Sequence, residues 1–441
     1  MRPVFVLLAL PAVVAAQQPV TSLQQPVDSA LHPISQQEAV RQAQLNAPAA
    51  VAARGQMRTA NSAIRSAYGA FLPSLSFNMG QSRTGGQRFD NQGNIVNWVG
   101  QPWSYTTGVS SNINLFDGGK RFADLHARRA DLGSAEANET AQRFNIALQV
   151  KTQYAAILAA RESQAAAQSQ LEQAEQQLRA ASARVMAGAA TLSDSLRSVI
   201  QVGNARLALI DAQNSLRVAS AALTRLVGST VLVTADPADT VDRPIAPIDS
   251  ASLVELAVEG PAVDQAVAQQ GSARAGLRSA KTAYLPSIDL RYNRNGSGYD
   301  KYYGLGNGAL AYAATWSVGL TLPLFNNFSR EDAVVRADVA EENADASLRD
   351  ARLAAQENII QQLGALRSAE ERIQIQQASV AAAEEDLRVQ QQRYSLGAST
   401  LLDLLTSQST LTQARAALIQ ARLDYRLARA QIEAIIGRDL Q

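Results

Sequence analysis

Residues 103–120 read WSYTTGVSSNINLFDGGK, in which aromatic or apolar side chains alternate with small polar ones. A period of two predicts a β-strand with one apolar and one polar face. The Asp-Gly-Gly step at 117–119 then predicts a joint, because glycine accepts backbone conformations that other residues avoid. The apolar face of this strand carries Tyr105, Thr107, Val109, Ile113 and Leu115.

The same pattern returns 209 positions later, where residues 312–329 read YAATWSVGLTLPLFNNFS. Each copy also has an upstream alternating stretch that begins after a Leu-Pro-Ser step, at 72–74 and at 285–287. A repeat of this kind indicates one structural unit written twice. We therefore predict an internal duplication in which each copy contributes two strands.

The predicted strands are long enough to cross a bilayer, since a tilted transmembrane strand needs about ten residues. Most aromatic residues, including all three tryptophans, lie in the two strand regions. An apolar outer face with aromatic ends is typical of a transmembrane barrel, whereas a soluble sheet with one buried face is the alternative. The aromatic clustering and an N-terminal export signal favour the membrane.

That export signal has the parts of a secretory signal peptide. Arg2 precedes the apolar run Val4–Val14, and two alanines precede Gln17. We predict a signal peptide at residues 1–16, because the run is too short to span a bilayer. No later segment has an uninterrupted apolar run of transmembrane-helix length, so strands rather than helices are expected to enter the membrane.

Composition argues against several classes of function. With 40 basic and 39 acidic side chains, the 441-residue chain has a formal net charge of +1 and no basic surplus for nucleic acid. It has no cysteine and only two histidines, which excludes thiol chemistry. Glu384 and Glu385 are adjacent on a predicted helix and point apart. We predict no enzyme activity, no catalytic residue, no metal site and no cofactor.

Two proline-free segments of unusual length follow the strands, Lys120–Ala187 and Ser329–Leu396. At 1.5 Å per residue each predicts a helix of about 100 Å. The return segment after the second one repeats apolar residues every seven positions, at Leu404, Leu411 and Leu418, which is typical of coiled-coil packing. The predicted fold class is therefore an α+β membrane protein with four transmembrane strands per protomer and long coiled-coil helices.

The predicted organisation has five parts. A signal peptide at 1–16 and a flexible lead at 17–33 precede a first repeat at 34–228, a proline-bearing linker at 229–250 and a second repeat at 251–437. The predicted strands lie at about 72–83 and 104–116 in the first repeat and at about 285–296 and 310–325 in the second. The predicted helix pairs lie at 120–228 and 329–437.

Four strands cannot close a barrel, and open edges in hydrocarbon would leave backbone groups unpaired. Two chains would give an eight-stranded barrel filled by its own side chains, and three would give a twelve-stranded barrel that can leave a duct. We predict a homotrimer.

The chain resembles the TolC family of outer-membrane efflux proteins in its duplication, in the LFDGG step at 115–119 and in a repeated turn motif. The motif places Arg184, Gly188, Thr191 and Asp194 in the first copy. In the second copy it places Arg393, Tyr394, Gly397, Thr400 and Asp403. The resemblance covers about residues 34–437. It implies a homotrimeric twelve-stranded barrel in the outer membrane of a Gram-negative-type cell, continued by an α-barrel in the periplasm.

The resemblance also implies a passive export duct with three kinds of partner besides its own copies. These are a periplasmic adaptor (membrane fusion) protein, an inner-membrane pump of the RND or ABC type, and outer-membrane lipid. The adaptor would meet the periplasmic turns at Ala187, Gly188, Ala189, Leu396, Gly397 and Ala398. The alternative is a soluble periplasmic coiled-coil adaptor, which is disfavoured because this chain has strands between its helices in duplicate.

The turn residues themselves predict a local structure. Each glycine suits the left-handed position that ends a helix, Thr191 and Thr400 suit the N-cap, and Asp194 and Asp403 would complete capping boxes. The resemblance adds a gate, since Asp194, Tyr394 and Asp403 match positions that govern closure of the tip in the family. A ring of three Asp403 carboxylates would favour cations.

Two positions depart from the family pattern at this gate. Ser399 stands where an arginine would bond across the closed tip, and Thr406 replaces a second acidic ring. We therefore expect a closed state that is held by fewer bonds and opens more easily.

Overall fold

A computed structural model of the chain describes residues 31–440 apart from 84, 90, 99–102, 189, 241–249 and 301–309. The predicted signal peptide and residues 17–30 of the lead lie outside the described residues. In chain order the elements are β1 (His32–Ile34), α1 (Gln36–Asn46), α2 (Pro48–Gly69), β2 (Ser74–Ser82), β3 (Gly86–Phe89), β4 (Ile95–Trp98), β5 (Trp103–Phe116), α3 (Lys120–Met186), α4 (Leu192–Val227), β6 (Val233–Ala235), α5 (Ser250–Val258), α6 (Pro261–Lys281), β7 (Ser287–Asp300), β8 (Ala311–Thr321), α7 (Ser329–Ser395) and α8 (Leu401–Ile436).

The four long strands form one antiparallel sheet in the order β2-β5-β7-β8. Residues opposite one another in an antiparallel pair share a face. Phe77 lies opposite Val109, and Tyr292 lies opposite Trp316 with ring centroids 4.5 Å apart, so the apolar residues of all four strands lie on one side. Leu75 and Leu320 on this side are 76% and 71% exposed. Such an apolar face needs a non-aqueous covering.

One detail of the predicted alternation is wrong. The register of β5 against β7 shifts between Asn114 and Phe116, so Phe116 rather than Leu115 lies opposite Ile288. A β-bulge adds one residue to one strand and thereby reverses the alternation beyond it. The predicted place of Leu115 on the apolar face is therefore taken by Phe116.

The long helices dominate the rest of the molecule. α3 and α7 each have 67 residues, and the return helices α4 and α8 each have 36. α4 packs on α3, α8 packs on α7, and α8 also packs on α3 of the other copy. Leu404 and Leu411 of the seven-residue stripe are buried in α8, and Tyr425, two further repeats along, is buried as well.

None of the helices in the described part of the chain is both long and apolar enough to cross a membrane.

Each long helix begins directly after a residue in the left-handed region. In the first copy these are Gly118 and Gly119, with φ of 68° and 83°, and in the second copy they are Asn327 and Phe328, with φ of 56° and 59°. A Cβ atom at Gly118 would collide with the side chain of Leu285, two residues before the start of β7. Glycine is therefore required there to avoid this clash as well as to adopt the positive φ.

A small two-stranded sheet joins the two ends of the first repeat, where the sequence predicted only a flexible lead and a linker. β1 pairs in parallel with β6, and the Tyr154 hydroxyl of α3 accepts a hydrogen bond from the backbone N–H of Asp236 (2.9 Å) and donates one to the Asp239 carboxylate (2.6 Å). The flexible lead predicted through residue 33 is therefore wrong at His32 and Pro33, because β6 supplies their backbone partners.

Candidate functional site

The ends of the two long hairpins are tight turns of the same design. Each helix ends at a residue in the right-handed region, Ala187 or Leu396, followed by a glycine with positive φ, 72° at Gly188 and 74° at Gly397. The backbone N–H of Ala398 then donates to the Arg393 carbonyl at 2.8 Å, which closes the last turn of α7. Ala189, also predicted in this region, lies outside the described residues.

Each return helix begins with a threonine N-cap and an acidic residue three positions later. In the second turn the Asp403 carboxylate accepts hydrogen bonds from the Thr400 backbone N–H (2.9 Å) and hydroxyl (2.8 Å). In the first turn Asp194 accepts the same two bonds from Thr191, at 3.2 and 2.9 Å. The bonds from Thr400 lower the pKa of the Asp403 carboxyl below its ordinary value, because they stabilise the charged form.

A contact that the sequence did not predict joins the two turns. Arg184, near the end of α3, donates a hydrogen bond of 2.8 Å to the backbone carbonyl of Tyr394, near the end of α7. Its guanidinium carbon lies 4.6 Å from the centroid of the Tyr394 ring, which is cation–π geometry. The sequence shows this arginine four residues before Gly188, but it does not identify Tyr394 as its partner, because Tyr394 belongs to the other copy.

The remaining residues of the predicted gate are not bonded to one another within the protomer. The hydroxyls of Tyr394 and Ser399 are buried, and neither has a hydrogen-bond partner in the described part of the chain. The Thr406 hydroxyl donates to the Leu402 carbonyl of its own helix at 2.9 Å. The carboxylates of Asp194 and Asp403 each accept hydrogen bonds from the N-cap threonine of their own helix. The protomer therefore brings Tyr394 to Arg184 and keeps both aspartates at separate helix starts.

Above the turns, polar bonds hold the two copies together along α3 and α8. Gln408 donates to Gln177 at 2.8 Å, and Arg422 forms an ion pair with Glu162 at 3.2 Å. A cavity of about 230 Å³ opens between α3, α4 and α8 at this level. Its lining is mostly small or amide-bearing and includes Gln170, Gln173, Ala208, Gln408 and Arg415.

Two hairpins of this length, duplicated around one antiparallel sheet with an exposed apolar face, define a distinctive architecture. The family model described as "Outer membrane efflux protein" matches residues 39–229 and 253–438, one segment for each copy. The chain belongs to this family. The efflux-family channel therefore lies in the outer membrane. This finding supports the channel over the soluble adaptor that the sequence left as an alternative.

Two relatives align with most of this efflux-family chain. Protein CyaE of Bordetella pertussis is 28% identical over 398 residues, which cover 86% of this chain and 78% of the relative. The pyoverdine export outer membrane protein OpmQ of Pseudomonas aeruginosa is 26% identical over 345 residues, which cover 76% of this chain and 69% of the relative.

Solved structures share the fold. CusC superposes with a TM-score of 0.77 at 18% identity, covering 95% of this chain and 96% of CusC. The Vibrio cholerae outer membrane protein VceC gives 0.72 at 18% identity, covering 92% and 97%. The open state of the Neisseria gonorrhoeae MtrE outer membrane channel gives 0.73 at 20% identity, covering 92% and 89%. The predicted fold class, a TolC-like arrangement of strands and long helices, is confirmed.

Proposed function

We propose that three copies of this chain form one continuous duct, with a twelve-stranded barrel in the outer membrane and an α-barrel in the periplasm. The observation that carries the proposal is the pair of open sheet edges. Among the residues that the structure describes, β2 pairs only with β5 and β8 pairs only with β7. Because edges in hydrocarbon leave backbone N–H and carbonyl groups unpaired, β2 of one chain and β8 of the next would close the barrel.

The helices support the same arrangement. α4 has an exposed apolar stripe that includes Leu207, which is 61% exposed, and α7 has one that includes Leu353, which is 65% exposed. α4 packs on α3 and α7 packs on α6 and α8, so the two stripes do not cover each other within the protomer. A ring in which α4 of one chain meets α7 of the next would bury both stripes by a heterologous contact that closes after three copies.

The turns at 187–191 and 396–400 would receive a periplasmic adaptor protein, which connects the duct to an inner-membrane pump of the RND or ABC type. Large apolar side chains project at these turns, with Met186 84% and Leu396 83% exposed. Exposed apolar side chains at the end of an elongated domain are suited to a protein–protein contact. The duct would act passively, with energy supplied by the pump.

The same turns would form the gate. In this proposal Tyr394, held by Arg184, and the residues Asp194, Ser399, Asp403 and Thr406 narrow the duct where three tips approach the axis. The buried and unpartnered hydroxyls of Tyr394 and Ser399 support this assignment, because a neighbouring tip can supply the missing hydrogen-bond partners.

The test is the mass of the detergent-extracted protein from separated membrane fractions. Recovery from the outer membrane at about three times the protomer mass, after subtraction of the detergent, is the expected result. A two-chain species would contradict the twelve-stranded barrel. Recovery as a soluble periplasmic species would contradict the duct and support the adaptor alternative.

A further inference from the structure

The outward, apolar face of the sheet carries the same arginine–aromatic pair twice. The guanidinium carbon of Arg294 in β7 lies 5.1 Å from the ring centroid of Tyr312 in β8, and that of Arg83, just after β2, lies 6.0 Å from the Trp103 ring in β5. Trp103 and Tyr312 are equivalent positions of the duplication, 209 residues apart. The aromatic member of the pair is thus repeated by the duplication, whereas the two arginines occupy neighbouring outward positions of equivalent strands.

The two arginines also lie at nearly the same height on the sheet. Arg83 follows Ser74 by nine positions, and Arg294 follows the equivalent Ser287 by seven. Equivalent strands of a repeated barrel unit start at the same level, so the two differ by two residues, or about 7 Å along the strand. In a trimer the pairs would form a belt of six around the barrel.

The strand register places Arg294 on the apolar side. Arg294 lies opposite Val109 on one neighbouring strand and opposite Ala314 on the other. The next outward residues toward the periplasmic end are Tyr292 and Leu290. The arginine therefore lies at the outer end of an apolar band, where a lipid headgroup region would begin.

The Arg294 side chain is held but not neutralised. Among the residues that the structure describes, no carboxylate lies within ion-pair distance of its guanidinium. By contrast, Arg291 on the opposite face pairs with Asp289 at 2.9 Å. The Tyr312 ring beneath Arg294 lies against Gly296, where a Cβ atom would come within 2.7 Å of the ring. A guanidinium that packs on an aromatic ring and has no carboxylate partner among the described residues can accept an anion as its partner.

We propose that these arginine–aromatic pairs bind phosphate groups of the glycolipids in the outer leaflet of the outer membrane. A guanidinium offers a planar pair of donors that matches phosphate oxygens, and the aromatic ring beside it packs on the lipid chains. The inference rests on the barrel orientation proposed above, in which the apolar face contacts lipid. It adds a lipid-binding site to the export duct.

Native mass spectrometry of the detergent-extracted full-length protein tests the site, with diphosphoryl lipid A as the probe and monophosphoryl lipid A as its acyl-matched comparison. We expect the wild type to retain the diphosphoryl form preferentially. Arg294→Gln should weaken that retention about tenfold, and adding Arg83→Gln should weaken it further. The matched control Arg291→Gln removes one strand arginine from the other face and should retain the lipid as the wild type does.

Three results would overturn the proposal: equal retention of the two lipids by the wild type, equal loss in Arg291→Gln and Arg294→Gln, or displacement of the lipid by inorganic phosphate at the same concentration. The last would indicate a site for a free anion. The first result needs no variant, so the test does not depend on whether a variant folds. The same spectra give the number of chains, so a failure of the trimer is distinguished from a failure of the lipid site.

Discussion

The Arg184 guanidinium lies over the Tyr394 ring, 4.6 Å from its centroid, and donates a hydrogen bond of 2.8 Å to the Tyr394 backbone carbonyl. One side chain of the first copy therefore fixes both the ring and the backbone at the end of the second copy's long helix. Within the protomer, the two tips are tied at the level of the proposed gate.

Replacing Arg184 by glutamine should release Tyr394 and increase opening of the duct. Loss of a cation–π contact and a charge-assisted hydrogen bond removes about 1–2 kcal/mol, or roughly a tenfold change in the ratio of open to closed states. Single-channel recordings in planar bilayers measure that ratio. Arg179→Gln, an exposed arginine on the same helix, is the matched control. An unchanged open probability in Arg184→Gln would remove this contact from the gate.

Introducing an arginine at position 399 should have the opposite effect. The Ser399 hydroxyl is buried and has no hydrogen-bond partner in the described part of the chain. In the proposed trimer, a longer cationic side chain at this position would reach the acidic helix starts of a neighbouring tip. We expect Ser399→Arg to lower conductance and to raise the occupancy of the closed state about tenfold, since a charge-assisted hydrogen bond contributes about 1.5–3 kcal/mol. Ser399→Gln controls for size. Equal closed-state occupancy in the wild type and Ser399→Arg would reject the prediction.

The N-cap of α8 should be a local stability element. Thr400→Ala removes the hydroxyl that bonds Asp403 and should destabilise the first turn of α8 by about 1 kcal/mol. Hydrogen–deuterium exchange of peptides spanning residues 401–406 measures the loss of protection. The equivalent Thr191→Ala change should leave these peptides unchanged while loosening the start of α4. Faster exchange throughout the hairpin would instead indicate a global effect.

The same cap should respond to acid. Because the pKa of folded Asp403 is below its ordinary value, its bonds with Thr400 stabilise the helix start fully above the ordinary pKa of about 3.9. This stabilisation declines below that pH and is lost as the pH falls through the lower pKa of the folded state. Exchange at residues 401–406 should therefore accelerate below pH 4, after correction for the intrinsic rate. Asp403→Asn should remove the pH dependence. A pH response that persists in Asp403→Asn would assign it to another group.

Placing a charge in the α4 stripe should break the proposed trimer. Leu207→Glu would put a carboxylate into each of three intersubunit contacts, at a cost of about 2 kcal/mol or more per contact for the lost apolar burial. Mass measurement of the extracted protein should then show protomers. Arg206→Glu introduces the same side chain about 100° around the helix and should remain trimeric. A trimeric Leu207→Glu protein would place the interface elsewhere.

Periodic features could be predicted from the sequence, and isolated contacts could not. The strands around Val109 and Trp316 and the stripe through Leu404 and Leu411 repeat a pattern over many residues, so their faces follow from the period alone. β1 has three residues, including Pro33, and depends on a partner strand some two hundred positions away. The β3–β4 hairpin, the bulge before Phe116 and the Arg184–Tyr394 contact likewise depend on neighbours that no local pattern identifies.

The matching lengths of α3 and α7, and of α4 and α8, restrict how this gene can change over time. One inserted codon in α3 alone would advance its tip by about 1.5 Å and turn it by about 100°, which would carry Arg184 away from Tyr394 and Gly188 out of level with Gly397. Insertions or deletions are tolerable only as compensating events in both copies, or as whole heptads in all four helices. Selection on the contact between the two tips therefore keeps the corresponding helices of the two copies equal in length.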